Sequence, residues 1–180
     1  MKGGVYRMLT MNLFIVSGAP NTGKSTTVYH LCTYLLNLGY VKTDIPYNGK
    51  RYSTSTSFPP ILANDFSCLL EKEGKKVLIH TATDDVFNID ALVNSINNHK
   101  PSIVITTCRD FGDWPRDYFC SQLKLVNSFI LASTSDIDIE EFPLSRITRR
   151  TTRFATAYEW YFINSTHQIE KILSLPPYSI

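Results

Sequence analysis

A short loop with two glycines joins an apolar run to a helical pattern near the start of the chain. The run, residues 12–17, has the continuous apolar character of a parallel strand that is covered on both faces. From Lys24 to Leu38, apolar residues recur at helical spacing, and Gly39 follows where a helix commonly ends. The loop between them is Gly18-Ala-Pro-Asn-Thr-Gly23-Lys24-Ser25. The sequence therefore predicts a strand, a glycine loop and a helix in immediate succession.

The residue types in this loop suit the binding of a phosphate chain. Gly18 and Gly23 allow backbone conformations that side chains forbid, so successive N–H groups can point inward around an anion. The helix that begins near Gly23 adds the positive end of its dipole. Lys24 supplies a point charge for the β- and γ-phosphates, and the Ser25 hydroxyl can bind Mg²⁺. The candidate nucleotide-binding residues are consecutive in sequence: Gly18, Ala19, Pro20, Asn21, Thr22, Gly23, Lys24, Ser25 and Thr26.

The loop matches the pattern GxxxxGK[ST] without a departure, in the strand-to-helix context that the pattern requires. Residues 12–38 therefore resemble the P-loop NTPase superfamily, in which this pattern is the Walker A motif. The resemblance implies a doubly wound sheet and binding of a nucleotide with Mg²⁺, and we predict Lys24 as a catalytic residue. The match covers eight residues, and the rest of the resemblance is the order of strands and helices.

The rest of the chain continues the alternation of strands and helices. Two strand-like runs, 65–71 and 76–81, flank a polar turn with Gly74, which predicts a β-hairpin. Segments with helical spacing cover residues 89–98, 115–123 and 155–173, the last broken near 164–166. Short apolar runs, predicted as strands, cover residues 103–105 and 129–131. The fold class is therefore α/β, with a three-layer P-loop NTPase fold, a mainly parallel sheet and a β-hairpin.

Several polar segments follow predicted strands directly. In open α/β sheets ligands bind at the carboxyl ends of the strands. We therefore expect Gly18–Ser25, Thr83–Asp85 and Thr107–Asp110 to converge at one edge of the sheet. The segment between Tyr40 and Pro60 is predicted as an irregular loop with room for one short strand, and loops of this kind often contact substrates.

Two acidic residues are candidates for the magnesium site. A Mg²⁺ ion that is held partly by Ser25 usually needs a carboxylate from a nearby strand end. Asp84 and Asp85 follow the apolar run 77–79 after a short threonine-rich connection, so we predict Ser25, Asp84 and Asp85 as metal-binding residues and Asp85 as a catalytic residue. The alternative is that an aspartate caps the helix that begins near Phe87. Both roles are compatible if one aspartate caps the helix and the other faces the metal.

The arginines offer further contacts with phosphate. Arg109 ends a predicted strand, where it can reach a phosphate or pair with a nearby aspartate. Four arginines form a cluster at spacings that place three of them on one helical face: Arg146, Arg149, Arg150 and Arg153. By resemblance to P-loop kinases, Arg149 and Arg150 would be catalytic residues of a lid that closes over the transferred phosphate. A nucleic-acid contact and a solvated basic face are the alternatives.

The predicted function is that of an ATP-binding protein that hydrolyses ATP or transfers its γ-phosphate to a small acceptor, as in nucleotide kinases. The acceptor would be held by Asp44–Pro60. A switch-type NTPase or a nucleotide-binding module acting on a protein or nucleic-acid partner is the alternative, with the hairpin as a docking edge. The sequence has no NKxD segment for reading guanine, which favours ATP over GTP.

Composition bounds the remaining possibilities. The 180 residues fit one domain, predicted over 11–180, with residues 1–10 as a mobile lead-in. A net charge of +2 does not by itself indicate a nucleic-acid partner. No run approaches the ~20 apolar residues that cross a bilayer, so no membrane partner is expected. Four cysteines without a CxxC pair do not resemble a disulfide framework, and we predict a cytoplasmic protein.

Overall fold

The computed structural model describes residues 11–46, 65–125, 137–144 and 155–180, and over 155–162 it describes the backbone alone. This part of the chain contains six strands: β1 (Met11–Ser17), β2 (Val41–Asp44), β3 (Ser67–Lys72), β4 (Lys75–His80), β5 (Ile103–Cys108) and β6 (Ile137–Pro143). It also contains four helices: α1 (Lys24–Asn37), α2 (Val86–His99), α3 (Arg116–Gln122) and α4 (Ala155–Leu173). The predicted α/β class is confirmed.

The strands form one mixed sheet in the order β2-β3-β4-β5-β1-β6. Strands β4, β5, β1 and β6 are mutually parallel, whereas β3 runs antiparallel to both β2 and β4. In the register of the parallel strands, Ser17 of β1 lies opposite Cys108 of β5. The loops that follow β1, β4 and β5 therefore leave the sheet at the same edge, where the sequence placed its candidate site.

Helices cover both faces of the sheet. Strand β1 shows this most clearly, because its alternate side chains enter two separate cores. Phe14 and Val16 pack in one core with α1 and α4, and Leu13 and Ile15 pack in the other with α2 and α3. The continuous apolar run of β1 is thus explained by burial on both sides.

The hairpin between β3 and β4 forms where it was predicted. Its two turn residues, Glu73 and Gly74, have φ values of 51° and 79°. Positive φ at both positions is typical of the two-residue turns whose twist matches that of the flanking strands. The turn lies at the opposite edge of the sheet from the glycine loop, because β3 and β4 run between the two edges.

The second half of the chain differs from the predicted pattern at α4 and β6. The break expected near 164–166 is wrong, since α4 is continuous and Ser165 and Thr166 are buried within it. Strand β6 was not predicted because its acidic residues interrupt any apolar run. It is the last strand of the described sheet, and only Ile139 and Glu141 of the strand are buried. The predicted strand 129–131 lies outside the described residues.

Candidate functional site

The loop after β1 has the backbone conformation that its glycines were predicted to allow. Gly18 has a φ of 155° and Gly23 a φ of 92°, and Asn21 between them also has a positive φ. A Cβ on Gly18 would lie 2.7 Å from the Thr22 hydroxyl oxygen and 3.3 Å from the Leu144 carbonyl oxygen. Gly18 is therefore required by close approach as well as by conformation.

Lys24 folds back over this loop. Its ammonium donates hydrogen bonds to the carbonyl oxygens of Gly18 at 2.9 Å and Ala19 at 3.0 Å. The side chain is only 8% exposed. Burial lowers the pKa of Lys24, and the Arg109 charge lowers it further, while Asp84 and Asp110 oppose the shift. The loop thus holds a positive charge directly above its own backbone.

The N-terminus of α1 is left without a cap. The N-cap residue, Gly23, has no side chain to accept a hydrogen bond, and the first turn contains no acidic residue. Among the described residues, no acceptor bonds the backbone N–H groups of residues 22–26, and the first bonded N–H is that of Thr27. Unbonded N–H donors at a helix end, next to a lysine charge, are groups that can bind a phosphate.

A carboxylate that the sequence analysis missed lies against Ser25. The Ser25 hydroxyl donates to Asp65 Oδ1 at 2.7 Å, and the Thr81 hydroxyl contacts the same oxygen at 3.2 Å. Burial raises the pKa of Asp65, and the nearby Asp84 raises it further, although the two hydroxyls favour the charged form. Asp65 precedes β3, and because β3 is antiparallel, its amino end lies at the carboxyl edge of the parallel strands. A search for acids after strands therefore could not find it.

The two predicted acids are placed differently from each other. Asp84 forms an ion pair with Arg109, with 2.8 Å between Asp84 Oδ2 and Arg109 Nη2. Asp85 is the N-cap of α2: one carboxylate oxygen accepts from the Asn88 N–H at 2.9 Å and the other from the Asn88 side-chain amide at 2.7 Å. The capping role that was weighed for this pair is therefore the one observed for Asp85. The carboxylate beside Ser25 is that of Asp65.

A buried ion pair fixes the exit of β5. The Arg116 guanidinium is 1% exposed and binds both carboxylate oxygens of Glu141 at 2.8 and 2.9 Å. It also donates to the Arg109 carbonyl oxygen at 2.9 Å. Arg116 opens α3 and Glu141 lies on β6, so the pair ties three elements together at the edge of the site. Paired, hydrogen-bonded burial of this kind is the arrangement that compensates the cost of removing both charges from water.

The connections after β4 and β5 are also joined. The Thr83 and Thr107 hydroxyls lie 2.8 Å apart, and Thr107 donates to the Thr81 carbonyl oxygen at 2.7 Å. Gly18 donates from its N–H to the Cys108 carbonyl oxygen at 3.2 Å. The three segments that were expected to converge therefore do so.

The structure describes Asp44 and Cys108 but not the arginines of the predicted lid. Asp44, predicted as an acceptor contact, ends β2 and forms an ion pair with Lys42 at 3.0 Å. Cys108 is fully buried, and burial raises the pKa of its thiol to about 12. The predicted lid residues Arg149 and Arg150 lie outside the described residues, as do their neighbours Arg146 and Arg153.

An open cleft adjoins the glycine loop. Its volume is about 370 Å³, and it is lined by Ala19, Pro20, Arg109, Asp113 and Trp114. The cleft lies between the loop after β1 and the loop after β5. A molecule in this cleft would therefore contact the same backbone that surrounds Lys24.

In the part of the chain that the structure describes, no helix combines the length and the apolar character needed to span a bilayer. Comparison of the chain with protein-family models, with curated proteins and with solved structures returns no match.

Proposed function

We propose that this chain binds Mg²⁺ and ATP at residues 18–26 and transfers the γ-phosphoryl group to a small acceptor or to water. The observation that carries the proposal is the position of Lys24, whose ammonium lies over a loop with unbonded N–H donors at an uncapped helix end. A lysine charge so heavily desolvated favours an anionic ligand, because the anion returns the stabilisation that water would give.

The proposed fold is that of the P-loop NTPases. It is supported by the strand, loop and helix order of β1 and α1, by the parallel pairing of β1 with β5, and by helices on both faces of the sheet. These features alone are shared by many α/β proteins. The loop geometry at Gly18, Gly23 and Lys24 narrows the proposal to a phosphate-binding fold.

Each group in the loop has a definite role in this proposal. The N–H groups of residues 22–26 bind phosphate oxygens, and the Lys24 ammonium exchanges the Gly18 and Ala19 carbonyls for the β- and γ-phosphates. Arg109 lines the cleft together with Ala19 and Pro20 of the loop, so its guanidinium can neutralise charge that builds on the transferred group. Arg149 and Arg150 keep their predicted role in a lid.

The residues around Ser25 fit a magnesium ion. A hydroxyl and a carboxylate meet at 2.7 Å beside the proposed phosphate site, and Mg²⁺ commonly takes one or two protein oxygens and completes its shell with phosphates and water. Ser25 and Asp65 would hold the ion, with Asp84 the next carboxylate. When bound, Mg²⁺ neutralises charge on the phosphates. Asp65 would then remain ionised, because a cation opposes the rise in its pKa.

The test is incubation with γ-labelled ATP and Mg²⁺, with a panel of nucleosides, nucleotides and nucleic acids as acceptors. Label on an acceptor identifies a kinase, and free phosphate alone identifies a hydrolase. The key variant is Lys24→Ala, which we expect to weaken ATP binding by roughly 10- to 100-fold, since charge-assisted hydrogen bonds are each worth about 1.5–3 kcal/mol.

The matched control is Lys72→Ala. Lys72 lies at the far end of β3, where its ammonium donates to the Leu38 carbonyl oxygen at 2.8 Å. Its removal should leave ATP binding unchanged. Wild-type ATP affinity in Lys24→Ala would overturn the proposal, and binding without turnover in any arm would favour a nucleotide-binding module.

A further inference from the structure

The loop between β5 and α3 presents a tryptophan beside the glycine loop. Trp114 is 67% exposed, although an indole has one of the largest apolar surfaces of any side chain. It lines the 370 Å³ cleft together with Ala19 and Pro20 of the glycine loop. An exposed indole in the wall of a cleft is suited to stacking against a flat ring.

The indole of Trp114 lies against the ring of Tyr118. Its ring centroid lies 6.4 Å from that of Tyr118, at an interplanar angle of 46°. The Tyr118 hydroxyl in turn donates to Asp90 Oδ1 on α2 at 2.7 Å. Trp114 therefore rests on a ring that is itself tied to a neighbouring helix, while most of its own surface remains accessible.

The backbone around Trp114 is also fixed. The Asp113 N–H donates to the Asp110 carbonyl oxygen and the Arg116 N–H to the Asp113 carbonyl oxygen, both at 3.0 Å. Two residues beyond Trp114, the buried ion pair of Arg116 with Glu141 holds the start of α3. A wall that is already ordered loses little conformational entropy when a ligand binds, so its contacts contribute more to affinity.

The polar groups of the cleft complement a heterocycle. The Asp113 carboxylate can accept hydrogen bonds from ring N–H, amino or sugar hydroxyl groups, and Arg109 supplies positive charge to the same cleft. A nucleobase offers both a π-face and an edge with such donors. Stacking of bases on aromatic side chains is tolerant of base identity, whereas hydrogen bonds at the edge discriminate.

We propose that this cleft, the Trp114 cleft, binds a nucleobase stacked on the indole next to the phosphate-binding loop. The inference rests on the proposed function, because the loop beside the cleft would hold the phosphates of the donor. The base has two possible sources: ATP itself, or a nucleoside or nucleotide acceptor. The experiment separates these sources.

The experiment uses the fluorescence of Trp114. The sequence has two tryptophans, so Trp160→Phe leaves Trp114 as the single reporter. This protein is titrated in the presence of Mg²⁺ with inorganic tripolyphosphate, with ATP, and with nucleosides and nucleoside monophosphates with and without tripolyphosphate. Ribose 5-phosphate serves as the ligand that has a sugar and phosphate but no base. We expect base-containing ligands to change the Trp114 signal and ribose 5-phosphate to leave it unchanged.

Variants establish that the indole binds the base. Binding followed by calorimetry should weaken roughly 5- to 150-fold for the base-containing ligand in Trp114→Ala, the range measured for loss of one stacking side chain. Trp114→Phe should retain much of the affinity, because it keeps a π-face. Tripolyphosphate should bind all variants alike. Phe111→Ala removes another exposed aromatic side chain of the same loop and should behave as wild type.

The outcomes for the cleft and the loop are distinct. Calorimetric ATP binding that weakens in Trp114→Ala while nucleoside binding does not assigns the cleft to the base of the donor, and nucleoside binding that weakens while ATP binding does not assigns it to the acceptor. If no base-containing ligand changes the signal and Trp114→Ala binds as wild type, the cleft proposal is overturned even if tripolyphosphate binds. If nucleosides respond but tripolyphosphate does not bind, the cleft proposal stands and the proposed function fails.

Discussion

Helices α1 and α2 each have 14 residues and each begin at the carboxyl edge of the sheet, yet their N-termini differ in every respect that matters for a ligand. Helix α1 begins after Gly23, without a side-chain cap, next to the buried Lys24. Helix α2 begins after Asp85, whose carboxylate already accepts the Asn88 N–H. A helix end that is stabilised from within has little left to offer an anion, whereas the end of α1 has its donors available. The local sequence thus decides which of two similar helix ends can be a binding site.

The largest expected effect comes from adding a methyl group at Gly18, in the glycine loop that precedes α1. In Gly18→Ala the new Cβ would collide with the Thr22 hydroxyl, and the φ of 155° would be strained. We expect a loss of stability of about 1–3 kcal/mol and a loss of tripolyphosphate affinity of about tenfold or more. Urea unfolding and calorimetric titration measure the two quantities.

Gly39→Ala is the matched control for this variant. Gly39, at the other end of α1, has a φ of 90° and open space around its Cβ position. The control should lose stability through strain alone and keep its affinity for tripolyphosphate. Equal affinity losses in both variants would show that strain at either end of α1, and not the shape of the loop, controls binding.

The next effect concerns Asp65, which accepts a hydrogen bond from Ser25 in the first turn of α1. Asp65→Asn removes the charge beside Ser25 but keeps an acceptor for its hydroxyl. We therefore expect the Mg²⁺ concentration needed for half-maximal ATP binding to rise roughly 10- to 100-fold. Asp85→Asn should leave that concentration unchanged. Magnesium titrations at fixed ATP compare the two variants, and the reverse result would return the metal site to the acids predicted from the sequence.

Asp65 also predicts a dependence of stability on pH. Because burial raises the pKa of Asp65 in the folded state, the folded protein keeps a proton that the unfolded chain has already released just above the usual range of aspartate. Its contribution to stability is therefore largest at low pH and decreases as the pH rises through this window. Without Mg²⁺, Asp65→Asn should consequently be at least as stable as wild type at pH 7, and the difference should vanish in acid. A wild type more stable than the variant at pH 7 would contradict the sign.

The smallest effect concerns Asp85, the N-cap of α2. Asp85→Ala should cost about 1 kcal/mol of unfolding free energy, while Asp85→Asn should be near neutral because asparagine caps equally well. Neither substitution should change ATP affinity. Chemical denaturation of both variants gives the stability difference, and a loss of ATP binding in Asp85→Asn would show that the aspartate does more than cap the helix.

The same contrast explains what the sequence could and could not predict. One continuous segment of sequence contains β1, the glycine loop and α1, so its local pattern predicts all three. Asp65 was missed because its place depends on the antiparallel direction of β3, and Glu141 because it pairs with Arg116 across 25 positions. Strand β6 was missed because Glu141 and its acidic neighbours hide the strand pattern. Local rules fail where a residue is placed by its partners in other elements.

The length of the two-residue turn at Glu73 and Gly74 determines the position of Asp65 at the opposite edge of the sheet. The turn sets the hairpin register, and the register sets Asp65 beside Thr81 and within reach of Ser25. One residue inserted in the turn would slide β3 by about 3.4 Å against β4 and reverse the faces of its side chains. Asp65 would then leave Ser25, although the insertion lies six strand residues away, about 20 Å along the chain. The number of residues in this turn therefore limits where Asp65 can lie relative to Ser25 of the glycine loop.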